Sequence, residues 1–342
     1  MKLDTQMKRD VGLSDIPAVA RDYEAIGFDG VWSFEAAHDP FLPLAMAASA
    51  TERLQIGTNI TVAFARSPFA VAQTAWDLQA MSNGRFHLGV GTQVRAHVER
   101  RFSMTFDRPA ARITDYIRCL RAIWNTFQTG ARPDYSGEFY RFHLINPFFN
   151  PGPIEHPEIP IYLAGVNERM CRAAGEVADG FHVHPMHSVG YVRDVVRPAI
   201  AAGAKTADRS LADVDLYASL FAVTGDNEAE RARSENEVRR QIGFYASTPN
   251  YRALLEYHGH HELGKQLSAL MRNGQMKEMT ALVPDSLLAE VAISQADGPI
   301  ARQMATRYPD DLLQRVSLYF PISGMDSPET WKDFVAEFRA AA

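Results

Sequence analysis

Strand and helix signals alternate along this chain, and that alternation limits the fold more than any other feature. Eight strand-like runs can be read, at residues 2–7, 28–34, 54–64, 84–91, 159–165, 180–184, 214–225 and 315–321. Several are near-continuous apolar runs, as expected of parallel strands covered by helices. Helical periodicity separates them. Ile16, Val19, Ala20 and Tyr23 share one face of a first helix, and Met170, Cys171, Ala174 and Val177 one face of a later one. Ser67-Pro68 and Ser327-Pro328 read as an N-cap followed by proline at N1, Asp39-Pro40 likewise, and Asn167 as a further cap. Eight such units in one chain predict an α/β fold of the (β/α)8 TIM-barrel type over an open sheet. Two excursions interrupt it: a proline-rich loop over about 130–158 and a helical insertion over about 227–283, before the last units. All 342 residues are read as one domain.

Composition narrows the function. The net charge is −6 with no dominant basic run, which gives no reason to expect nucleic acid or an anionic membrane as partner. No stretch reaches the roughly 20 apolar residues of a membrane helix. The first residues lack the apolar core of a signal peptide, and Cys119 and Cys171 read as core thiols, so a reducing cytoplasm is expected.

The motifs exclude as much as they suggest. "GVGTQV" (89–94) is not a dinucleotide fingerprint, because Val94 holds the third glycine position and a loop rather than a helix is expected after it. "HGHHELG" (258–264) lacks metal-ligand spacing, and no metal site is expected. Neither GxSxG nor a P-loop occurs. Barrel chemistry sits at the C-terminal ends of strands. Those ends gather Glu35 and His38 after strand two, Thr58–Val62 on strand three, Gly91–His97 after strand four, Gly165–Asn167 after strand five, and His184 and His187 after strand six. An imidazole there titrates near neutrality and moves protons, so His38 and Glu35 are the candidate catalytic pair. His184, His187 and Tyr140 are candidate substrate contacts.

Three stretches carry a resemblance: "GFDGVWSFEAAHDPFLPLAMAA", "LQIGTNITVAFARSPFAVAQTAWDLQAMSNGRFHLGVGTQ" and "IYLAGVNERMCRAAGEVADGF". They resemble the bacterial-luciferase-like superfamily, and within it the oxidoreductases that use the deazaflavin coenzyme F420. The resemblance implies a barrel with the ring in its mouth and a non-proline cis peptide at Asn59–Ile60 supporting that ring. It places Asn59, Ile60, Val62, Gly91, Thr92, Gln93 and His97 beside ring and side chain, and Gly165, Val166 and Asn167 at the cofactor phosphate. Arg66, Arg95, Arg100 and Arg101 are candidate partners of the anionic tail. Hydride transfer to a small-molecule substrate is implied, with His38 handling the proton and Glu35 bonding to His38 or the ring; a homodimer is implied as well. Ala36 stands where related dehydrogenases carry histidine, Val94 where they carry glutamate, and Gln93 where glycine is usual, so their acid–base pair does not carry over. An FMN-dependent monooxygenase and a non-catalytic F420-binding protein are the alternatives.

Overall fold

A computed structural model describes residues 1–8, 10–309, 312–320 and 327–342. Eight strands form the ring: β1 Lys2–Gln6, β2 Gly30–Ser33, β3 Gln55–Thr58, β4 Phe86–Gly91, β5 Ile161–Gly165, β6 Gly180–Val183, β7 Asp215–Val223 and β8 Arg315–Leu318. Each pairs in parallel with the next, and β8 returns to β1 through Lys2↔Arg315 and Leu3↔Val316. The ring is a closed (β/α)8 barrel. Pro321, read as the end of the eighth strand, lies outside the described residues.

Helices α1 (Ile16–Ile26), α2 (Phe41–Ala50), α3 (Pro68–Met81), α4 (Arg95–Arg100), α5 (Pro109–Thr129) and α6 (Glu168–Val177) follow in the first two thirds of the chain. Ser67 and Asn167 cap α3 and α6 as their side chains predict, accepting from the amides of Ala70 and Met170. The segment after β7 is helical over Glu228–Ala246, Arg252–Tyr257, Leu263–Arg272 and Met276–Leu282. Three elements differ from the sequence reading. A loop was expected after Val94, and α4 begins there, although the barrel topology still excludes a dinucleotide-binding fold. Residues 130–158 contain a two-stranded antiparallel hairpin, Tyr135–Ser136 against Arg141–Phe142. A short strand, Ala292–Ser294, adds to the far end of β7.

Alternation along each strand decides what fills the barrel. Leu3, Val31, Ile56, Leu88, Leu163, Phe181, Leu216 and Val316 belong to the main apolar core beneath the helices. The intervening positions are polar or aromatic and meet across the axis. Trp32 stacks on Tyr217 with centroids 5.0 Å apart, and His182 meets Trp32, Tyr162 and Tyr217 at 5.1–5.2 Å. The buried Arg315 guanidinium forks onto the buried Asp4 carboxylate at 2.6 and 2.7 Å, and Trp32 Nε1 donates to the same carboxylate. The barrel is thus a polar, aromatic plug inside an apolar shell.

Among the described residues neither ring nitrogen of His182 has a hydrogen-bond partner. Burial lowers its pKa to about 3. Burial likewise lowers His184 to about 3 and His187 to about 4. These folded values lie below the ordinary 6.5, so the unfolded chain binds more protons in between. Their stabilisation is complete above about pH 6.5 and is lost as pH falls toward 4 and 3. The urea midpoint should therefore drop between pH 7.5 and 5. His182→Phe, which keeps an aromatic ring in the cage, should drop less. An equal drop in both would refute the assignment.

Candidate functional site

The floor of the barrel mouth is a bulge between β3 and β4. Register fixes it: Gly57 pairs with His87, but Thr61 pairs with Val90 and Val62 with Gly91. One strand advances four residues while the other advances three, which is the signature of a one-residue bulge. At its start the Thr58 hydroxyl replaces the ladder. Its Oγ1 donates to the Gly89 carbonyl at 2.6 Å and accepts from the Gly89 amide at 2.9 Å. The next peptide, Asn59–Ile60, is cis. The end of β2 holds it from the other side, through Asn59 N–H to the Ser33 carbonyl (2.6 Å) and Glu35 N–H to the Ile60 carbonyl (3.1 Å).

Two glycines allow the close packing of this floor. A Cβ at Gly89 would lie 1.7 Å from the Thr58 oxygen, and one at Gly91 2.9 Å from Ile60 Cδ1. After Gly91, Thr92 Oγ1 donates to the Gln93 carbonyl. Gln93 has φ 56°, the left-handed region that glycine favours, which explains why glycine is usual there.

The loop after β2 corrects two sequence expectations. Glu35 does not bond to His38; its Oε2 accepts from the Val62 amide (2.8 Å) and from Arg66 Nη1 (2.6 Å), and the side chain is 6% exposed. Arg66 is no free cation for an anionic tail, because its other arm binds Asp39 at 2.9 Å. Asp39 acts as predicted: its Oδ1 accepts from the Phe41 amide at 2.8 Å, as an N-cap side chain does, and Pro40 between them already has helical φ and ψ, with α2 running from Phe41. His38 is exposed, on a loop fastened on one side by Arg101 to the Ala36 carbonyl (2.6 Å) and on the other by Arg66 to Asp39. Among the other arginines, Arg95 pairs with Glu99 on α4. His97 lies exposed on α4.

Across the mouth a second group assembles. Gly165, Val166, His184, His187 and Tyr251 line a small pocket. His184 Nδ1 accepts from the Met186 amide at 3.1 Å, which leaves Nε2–H to donate to the Tyr251 hydroxyl at 2.8 Å. Tyr251 keeps its own proton to donate. Tyr245 packs edge-on against His184 at 4.4 Å and bonds to the Tyr319 hydroxyl at 2.6 Å. His187 is pinned at both nitrogens, by the His184 carbonyl and the Tyr308 hydroxyl, and is 3% exposed; its environment is that of a structural residue rather than a substrate contact. Tyr140 does not join either group. It lies in a cleft between the start of α3, α5 and the hairpin, where its hydroxyl accepts from Arg112 Nε at 2.9 Å.

Sequence reasoning placed Thr58 at the mouth without its clamp, missed Tyr245 and Tyr251, and gave Arg66 a different part. Thr58 carries a weak signal, a hydroxyl at a strand end before the bulge. Tyr251 carries none, because 67 residues separate it from His184.

A closed parallel barrel with a bulged, cis-peptide floor at its C-terminal mouth defines a TIM-barrel protein. The profile of the luciferase-like monooxygenase family matches residues 2–313, and the chain belongs to that family. It is 41% identical over 307 residues to Rv1360, an uncharacterized protein of Mycobacterium tuberculosis, covering 90% of each chain. It is 27% identical to a putative coenzyme F420-dependent oxidoreductase, Rv3520c, of the same organism, covering 85% of this chain and 86% of the other. In fold it is similar to the coenzyme F420-dependent tetrahydromethanopterin reductase of Methanopyrus kandleri, with TM-score 0.74, 20% identity and coverage of 98% and 96%. Among the described residues no helix is long and apolar enough to cross a membrane.

Proposed function

We propose that this chain is an oxidoreductase that uses F420 to move a hydride to or from a small organic substrate. The observation that carries this reading is the clamped β3–β4 bulge at the barrel mouth, with its cis Asn59–Ile60 peptide and the Ile60 side chain set against Gly91. The residues fit a flat ring because glycine at 91 lets Ile60 lie close on the β4 backbone, which leaves an apolar, low-relief floor. Relatives named for F420-dependent activity support the choice of cofactor.

In this reading Asn59, Ile60, Val62, Gly91, Thr92 and Gln93 hold the ring, with His97 at the rim. Backbone amides of Gly165, Val166 and Asn167 receive the phosphate. When bound, the deazaflavin supplies the hydride at C5. The protein's part is orientation and proton traffic. His38 gives or takes the coupled proton. Glu35, its carboxylate engaged by Val62 and Arg66, is a positioning residue that fixes the loop carrying His38. His184 stays neutral at working pH and presents Tyr251 to the substrate side. The same reading takes the chain as one domain acting as a cytoplasmic homodimer.

Titration with F420 and with FMN, followed by tryptophan fluorescence, tests the cofactor. Tight FMN binding without an F420 response would overturn the proposal. His38→Gln should leave F420 affinity unchanged and lower turnover by about 10²–10⁴-fold, the usual weight of a positioned acid–base group. Unchanged turnover would remove His38 from the chemistry.

A further inference from the structure

One opening that the proposed function leaves unused is the solvent-open cleft where Tyr140 lies. Its walls are of two kinds. Phe69, Ile123 and Phe142 give an apolar side. Arg112 and Arg141 give two guanidiniums with no ion-pair partner among the described residues. Arg112 is held in place without being neutralised: its Nε bonds to Tyr140, its Nη1 to the Thr105 carbonyl, and its plane lies 4.5 Å over the Phe64 ring. The neighbouring carboxylate, Asp115, is occupied by the amides of Phe139 and Tyr140 and by the Tyr135 hydroxyl. Arg66, also on the wall, has its charge met by Glu35 and Asp39. In a chain of net charge −6, two uncompensated cations beside an apolar wall mark a site of chosen polarity.

We infer that this cleft binds an organic anion, with its carboxylate or phosphate on Arg112 and Arg141 and its apolar body against Phe69, Ile123 and Phe142. A guanidinium matches such an oxyanion with paired N–H donors, and the ring-stacked Arg112 has lost little freedom still to lose. Tyr140 thereby binds ligand indirectly, by aiming Arg112.

Calorimetric titration of the deazaflavin-free full chain with octanoate, and with neutral 1-octanol, tests this without invoking the cofactor. Octanoate should bind at least tenfold more tightly than octanol, and more weakly as salt rises. Arg141→Gln, at an exposed position with no side-chain partner to disturb, should weaken octanoate about tenfold, the worth of one charge-assisted hydrogen bond. It should leave octanol binding unchanged. Tyr140→Phe should weaken octanoate by a smaller factor. Failure of octanoate to bind, equal binding of octanoate and octanol, or an Arg141→Gln variant with wild-type affinity would each overturn the inference. Competition identifies the source of the anion. Displacement of octanoate by F420, but not by the deazaflavin lacking phosphate and glutamates, assigns the cleft to the cofactor's tail. Displacement by neither assigns it to a separate ligand. Loss of F420 binding in the cofactor titration leaves this outcome untouched.

Discussion

Arg315→Met is expected to destabilise the fold by about 3–5 kcal/mol, the cost of leaving one member of a buried ion pair alone. Arg315 is 1% exposed and Asp4 is fully enclosed. The guanidinium makes both contacts to Asp4 and a third, at 2.6 Å, to Gln55. Remove it, and the Asp4 carboxylate keeps only the Trp32 indole as a side-chain donor. The pair also bridges the seam: Asp4 stands on the first strand and Arg315 on the last, so the same bonds that satisfy two charges hold the ring shut. Asp4→Leu combined with Arg315→Met removes both charges and should recover a large part of the loss. Urea unfolding of the single and double variants checks this. A single variant within about 1 kcal/mol of wild type would show that water reaches the pair.

Thr58→Val should cost about 2–4 kcal/mol and weaken F420 binding at least tenfold. Valine keeps the branched shape but supplies neither donor nor acceptor. The Gly89 amide and carbonyl then lose their partner at a fully buried site, at about 1–3 kcal/mol for each unsatisfied group. Thr58→Ser retains the hydroxyl and should bind nearly as wild type. Unfolding and fluorescence titration of both variants separate the effects. A valine variant of normal affinity would mean that the bulge is shaped without the clamp.

The fold was legible because alternation is a local property. Each strand run announces itself within a few residues, and caps such as Ser67 and Asn167 act three residues away. The mouth's backbone was legible for a different reason: glycine and small residues at strand ends record close approach in the sequence itself. Side-chain partnerships were not. Glu35 reads as a partner of His38, three positions on, or of the ring, and its carboxylate meets Arg66 on the following unit. His187 and His184 look alike on paper, yet one is pinned at both nitrogens by a carbonyl and a distant tyrosine, and the other presents a hydroxyl. Such contacts depend on which elements the ring brings side by side, and a linear pattern carries no record of that.

The helical segment between β7 and β8 contributes Tyr245 and Tyr251 to the rim while taking no part in the ring-closing strand pairs. One wall of the mouth is therefore supplied from outside the ring, though its helices are rooted in the main core through Val238, Ile242 and Leu267, while the opposite wall, with the bulge and its glycines, belongs to the ring itself.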